Sequence, residues 1–161
     1  ETLLFPQPGE ADGLLYTPQQ GGIVTPSPLG WSSEIRKILY YYPCTRLIVH
    51  FDLRGREKTA EGQGRLLTAE ESRITRINRI SNPKRVGENG WVHYRYRLKG
   101  EEREAYLPDL RTIRGILHQI DHLNLRGVFF TGIEEWEEEI KEESNRFFLA
   151  NQRILVMTKQ A

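Results

Sequence analysis

Two imidazoles four residues apart are the feature of this sequence best suited to chemistry. His118 and His122 lie in the string H-Q-I-D-H-L-N, and on a helix that spacing projects both rings from one face. Such a pair can fill two coordination positions of a divalent cation, with a carboxylate next to the first histidine acting as base on metal-bound water. The position of that base holds Gln119, and an amide takes up no proton near neutrality. A catalytic metal normally has three protein ligands, so a working site would recruit His50, His93 or Glu71. The alternative is a helical histidine pair that only packs.

The helix that must carry the pair is the clearest element. Pro108 and Asp109 suit its start, Leu110, Ile113, Ile116, Leu117, Ile120 and Leu123 recur at three and four, and Asn124 to Gly127 ends it. Thr45 to Leu53 alternates around Leu47, Val49 and Phe51 as a strand. Trp91 to Leu98 places Val92, Tyr94 and Tyr96 on one face and His93, Arg95 and Arg97 on the other. Lys99-Gly100 turns it toward a hairpin partner from Glu102 to Leu107. Trp31 to Tyr42 reads as helix or strand, and 57–81 as polar and partly irregular. Past the main helix come a short strand, Val128 to Phe130, a second helix from Ile133 to Ser144, and an apolar tail. The expected organisation is a Pro/Gly-rich extended arm at 1–30, a core at 31–132, and the acidic helix with its tail at 133–161. The expected class is α+β, antiparallel strands around the H-x-x-x-H helix.

Composition narrows the classes. The 161 residues suffice for one domain with a core. No apolar run reaches the roughly 18 residues that a membrane helix needs. The lone Cys44 forms no internal disulfide, which fits a reducing compartment, and Glu1 in place of Met suggests a processed or trimmed chain. Net charge is +1, but seven glutamates and one lysine between Glu134 and Glu143 leave +7 on the rest. Arg73, Arg76, Arg79, Lys84, Arg85, Arg95, Arg97 and Lys99 form a basic stretch containing only Glu88 as an acid. These are candidates for contact with RNA phosphates, with Trp91, His93, Tyr94 and Tyr96 interleaved for stacking. The competing reading is a solvated face whose acidic neighbours lie elsewhere in the chain.

The run W-V-H-Y-R-Y-R-L-K-G-E-E-R-E-A-Y-L-P-D-L-R-T-I-R-G-I-L-H-Q-I-D-H-L-N-L-R-G-V-F-F, Trp91 to Phe130, resembles the C-terminal half of peptide deformylases. There a hairpin leads into a helix bearing H-E-x-D-H-L and then a G-x-L-F segment. Gly21 to Gly30 is similar to that family's first motif, G-x-G-x-A-A-x-Q-x-G. The resemblance implies His118 and His122 as metal ligands and a cysteine as the third. In this sequence that cysteine falls on Arg73, or on Ser72 with a shift of one. The oxyanion-binding glutamine falls on Pro28, which has no side-chain or backbone donor.

With base, thiolate and oxyanion donor missing at Gln119, Arg73 and Pro28, the resemblance implies a pseudoenzyme with no cofactor and vestigial His118 and His122. The implied partners are ribosomal proteins and ribosomal RNA of an organellar ribosome or its precursor, in the mitochondrial matrix, with no membrane and no small-molecule substrate. The alternatives are a metal-dependent amide hydrolase with a rebuilt site and a metal-free peptide-binding module.

Overall fold

The computed structural model describes residues 14–17, 30–86, 90–148 and 154–158. In chain order its elements are β1 (Leu14–Tyr16), α1 (Gly30–Leu39), β2 (Leu47–Asp52), β3 (Arg56–Lys58), β4 (Gly64–Leu66), α2 (Ala69–Ile77) and β5 (Lys84–Arg85). Then follow β6 (Val92–Leu98), β7 (Glu101–Leu107), α3 (Leu110–His122), β8 (Gly127–Thr131), α4 (Glu137–Phe148) and β9 (Ile154–Thr158). No helix of the described residues is long and apolar enough to cross a membrane.

Alternation along β2 builds the first layer. Leu47, Val49 and Phe51 are buried, while Ile48, His50 and Asp52 are half-covered. The strand pairs in parallel with β1 on one side and β8 on the other, setting Leu47 beside Leu14 and Phe51 beside Phe130. β8 pairs in parallel with β9, giving a four-stranded sheet ordered β1-β2-β8-β9. Parallel neighbours need crossovers, and helices α1, α3 and α4 supply them.

The helices cover the face carrying Val49, Phe51, Val128 and Phe130. Trp31, Ile35 and Ile38 share one side of α1, and Ile113, Ile116, Leu117 and Ile120 one side of α3. This shared apolar stripe resolves the ambiguity at Trp31 to Tyr42 in favour of a helix. The Trp31 ring meets Phe51 edge-on, with centroids 5.0 Å apart, and Ile140 of α4 closes the core.

A second sheet, ordered β4-β3-β7-β6-β5 and antiparallel, is inserted between β2 and α3. The hairpin of β6 and β7 reverses through Lys99 (φ 51°) and Gly100 (φ 79°). Leu67, Tyr94, Tyr96, Ala105 and Leu107 form its own core. Beneath it lies the buried Glu57 carboxylate, which accepts from Tyr96 Oη, from Arg65 Nε at 2.8 Å and from Arg103 Nη1 at 2.8 Å.

The expected deformylase-like class is corrected here. The strand at Thr45 to Leu53 joins a parallel sheet instead of pairing with the hairpin, and α3 packs on that parallel sheet. The antiparallel sheet is a separate layer with a separate core. The stretch 57–81, expected to be partly irregular, holds β3, β4 and α2. Pro28 and most of the arm at 1–30 lie outside the described residues.

Candidate functional site

The carboxyl ends of parallel strands are where β/α folds gather binding groups. Here β2 and β8 end side by side, with Asp52 beside Thr131. Asp52 sits on the face of the sheet away from the helices and is four-fifths covered at its side chain. Arg54 turns back onto it, Nε donating to Oδ1 at 3.0 Å and Nη2 to Oδ2 at 2.6 Å. Burial pushes the Asp52 carboxyl up, but the Arg54 bonds and the charge of Arg56 outweigh it, holding the group below the usual carboxylate range. Arg56 is itself buried and lies 4.5 Å from the centroid of the Trp91 ring, a cation–π contact. Burial brings its pKa down to about 10, with Asp52 pulling the other way.

His50, one pleat earlier, is held from both sides. Its Nδ1 lies 3.0 Å from Thr17 Oγ1 and its Nε2 lies 2.9 Å from Thr131 Oγ1, while the ring rests on Phe129 at 5.0 Å. Burial lowers the His50 pKa and the Asp52 charge only partly restores it, so the imidazole is neutral at pH 7.

Beyond these strand ends is a cleft of about 220 Å³ between the loops after β2 and β8 and the first turn of α2. Arg54, Thr68, Ser72, Glu134, Glu135 and Trp136 are among its lining residues. Thr68 caps α2 by accepting from the Glu71 N–H at 3.1 Å. Gly132 is forced by the packing. It has φ 65°, and a Cβ there would fall 2.5 Å from Arg54 Cγ.

The histidines that opened the sequence argument lie elsewhere. His118 and His122 are exposed on the outer side of α3, their rings stacked at 6.5 Å between centroids. They are not turned into the core. Gln119 is half-buried on the same helix, and its Oε1 is buried with no hydrogen-bond partner among the described residues. Arg73 pairs with Glu70 on the surface of α2, where Ser72 is buried. His93 reaches Glu104 at 3.1 Å in the antiparallel sheet. Among the described residues no three His, Cys, Asp or Glu side chains are grouped to hold a metal ion. His50, His93 and Glu71 therefore do not complete a site around the pair.

The basic stretch meets acids from other segments. Arg76 pairs with Glu135 at 2.8 Å, Arg85 with Asp109, and Arg95 and Arg97 both with Glu102 at 3.5 and 2.8 Å. Arg79, Lys84 and Lys99 are exposed. The fold thus supplies the acidic neighbours that the sequence order conceals.

No protein-family model matches the sequence, and no curated protein matches it. Solved structures do. A chitinase from Chromobacterium violaceum superposes with a TM-score of 0.71 at 12% identity, over 83% of this chain and 46% of that one. The spore cortex-lytic enzyme SleL of Bacillus cereus gives 0.69 at 14%, over 94% and 37%. A glycoside hydrolase family 18 N-acetylglucosaminidase from Paenibacillus barengoltzii gives 0.53 at 13%, over 84% and 42%. At these identities the likeness is one of fold, a chitinase-like, TIM-barrel-like arrangement of parallel β/α units. The chain spans less than half the length of these structures.

That likeness overturns the deformylase resemblance, and with it the expected deformylase-derived pseudoenzyme and ribosomal subunit. The rebuilt amide hydrolase and the metal-free peptide module likewise lack support. The ribosomal partners were expected from that resemblance together with the +7 charge outside the acidic helix and the character of the terminal segments, and the matrix location from the resemblance. What misled was local: the hairpin and the H-x-x-x-H helix are both present in this chain, whereas the parallel pairing of β2 with β8, the packing of α3 on that sheet and the separate core of the antiparallel sheet depart from the expected arrangement.

Proposed function

We propose that the chain forms one side of a carbohydrate-binding cleft in a barrel-type protein, taking a polymer of N-acetylated amino sugars. The observation that carries this is the position of the cleft, at the carboxyl ends of β2 and β8 and walled by the inserted sheet's α2. Barrels of parallel β/α units bind substrate at that end. The lining suits a sugar: Trp136 offers an apolar ring, while Arg54, Glu134 and Thr68 offer groups for hydroxyls and amides. The names of two structural neighbours, chitinase and N-acetylglucosaminidase, point to the substrate class. This last step is analogy at the level of fold.

Asp52 is read as the anchor of Arg54. A glycosidase acid must stay protonated near working pH, with its pKa raised, and Asp52 is shifted the opposite way. The Asp52–Arg54 pair is therefore assigned to binding and orientation of the polymer. Co-sedimentation with insoluble chitin, with cellulose as control, tests it. Retention on chitin that soluble N-acetylglucosamine oligomers reverse is expected, with Arg54→Ala weakening it several-fold. Equal partition to both polymers, or to neither, contradicts the reading.

A further inference from the structure

The two layers of the fold have separate cores. Among the described residues, no strand or helix of the inserted sheet packs broadly against an element of the parallel layer. The chain leaves that layer through Leu53, Arg54 and Gly55 and returns through Pro108 and Asp109. These two crossings run side by side. The ladder of β3 and β7 sets Arg56 beside Tyr106, and a Cβ on Gly55 would fall 2.3 Å from Leu107 Cδ2. Bonds from the inserted sheet to the start of α3 lie at the same place: Arg85 Nη1 donates to Asp109 at 2.9 Å, and Gly90 O accepts from Thr112 Oγ1 at 2.9 Å. Two adjacent crossings make one axis of rotation, the geometry of a hinge.

The cleft lies against that axis. Its floor holds Arg54 and Gly55, one wall Thr68 and Ser72 of the inserted layer, and the other Gly132 and Glu135 of the parallel layer. Arg76 stands one turn along α2 from Ser72, on the same side of the helix. It reaches across to Glu135 as a fork, Nη1 to Oε1 at 3.0 Å and Nη2 to Oε2 at 2.8 Å. Both side chains are partly exposed, so the pair is directional in geometry yet weak enough to break and reform. With it made, the cleft measures about 220 Å³, below the roughly 300–1,000 Å³ of pockets that enclose drug-sized ligands.

We propose that the inserted sheet is a hinged jaw, clasped shut by Arg76 and Glu135, and that release of the clasp widens the cleft to admit its ligand. Arg76 and Glu135 are positioning residues in this scheme: they set how far apart the two walls stand. The hinge and the clasp rest on the geometry alone. That the ligand is a saccharide rests on the reading given under the preceding heading.

Spin-label distances across the hinge in the full chain read the outcome. Lys99, at the far turn of the jaw, and Lys37 of α1 are both exposed. Lys99→Cys and Lys37→Cys carry the labels, with Cys44→Ser removing the native thiol. In dilute buffer one narrow distance distribution is expected, and Arg76→Glu should broaden it roughly twofold as the jaw swings free. Adding Glu135→Arg to Arg76→Glu should narrow it again, which a loss of fold could not do. Salt at about 1 M, where screening acts within about 3 Å, should broaden the parent's distribution as well. A distribution that neither Arg76→Glu nor salt alters overturns the jaw, and so does one that the exchanged pair leaves broad. Stopped-flow tryptophan fluorescence then reads the gating. Uptake of a soluble N-acetylglucosamine oligomer should be roughly tenfold faster in Arg76→Glu than in the parent, and equal rates overturn the gating. An oligomer that neither protein binds contradicts the saccharide reading, while the distances still decide on the jaw.

Discussion

Arg54 lies back along Asp52, two residues before it in the chain, and binds the same carboxylate through its side chain and its backbone N–H, the latter at 3.1 Å. The pair fixes the guanidinium at the lip of the cleft. It also ties a pH dependence to the site. Asp52 has a lowered pKa in the folded chain, so its stabilisation is present above the ordinary carboxylate range and fades as pH falls through the lowered value. Arg54→Ala should cost about 0.5–1 kcal/mol at neutral pH, since both groups retain some solvent, and less near pH 2. Thermal melts of both proteins across that range check it. A constant gap between the two contradicts the pairing.

His50 gives a second dependence at higher pH. Held neutral between Thr17 and Thr131, with burial lowering its pKa, it favours the fold above its unfolded value of 6.5. That contribution is lost as pH falls through the lowered folded value. Urea midpoints should therefore drop from pH 7.5 to pH 5, and less so in His50→Gln. An imidazole resonance titrating at or above 6.5 in the folded chain would count against it.

Gly132→Ala tests the loop after β8. A residue with a Cβ at φ 65° is strained, and this one would meet Arg54 Cγ at 2.5 Å. Left-handed backbone alone costs about 1–2 kcal/mol, so a loss of at least that size is expected from denaturant unfolding. Chitin retention should fall with it, because Arg54 must move.

Asp109 and the α3 histidines should behave in opposite ways. Asp109 caps α3 by accepting from the Thr112 N–H at 3.0 Å and binds Arg85 Nη1 at 2.9 Å. Asp109→Ala should cost about 1–2 kcal/mol. His118→Ala and His122→Ala, on the exposed side of the same helix, should stay within about 0.5 kcal/mol of the parent. Chemical denaturation of the three variants decides.

How far the sequence reaches can be judged from single elements. The apolar spacing from Leu110 gave α3 nearly to its observed end, and the alternation at Trp91 gave the β6–β7 hairpin. Alternation also showed that Leu47, Val49 and Phe51 face a core. It could not show that β2 pairs with Gly127–Thr131, because neighbours in a sheet leave no mark on a strand's own period. α2 was missed because its buried residues are Ser72 and Thr75, although Thr68 followed by Glu71 carries a helix-start signal. The histidine spacing correctly placed two rings on one face of α3. Which face was set by Ile113, Leu117 and Ile120, and it is the outer one. Asp52, Arg54 and Arg56 went unnoticed because they become a cluster only once Trp91 and the loop after β8 fold against them.

Backbone amide shifts during titration with N-acetylglucosamine oligomers test the placing of a saccharide site at these strand ends most directly. Saturable shifts should concentrate at Leu53 to Arg56 and at Gly132 to Trp136, and Arg54→Ala should weaken the apparent affinity several-fold. Titration that moves no resonances at millimolar oligomer, or moves only those of β6 and β7 at the hairpin end near Lys99, would contradict it.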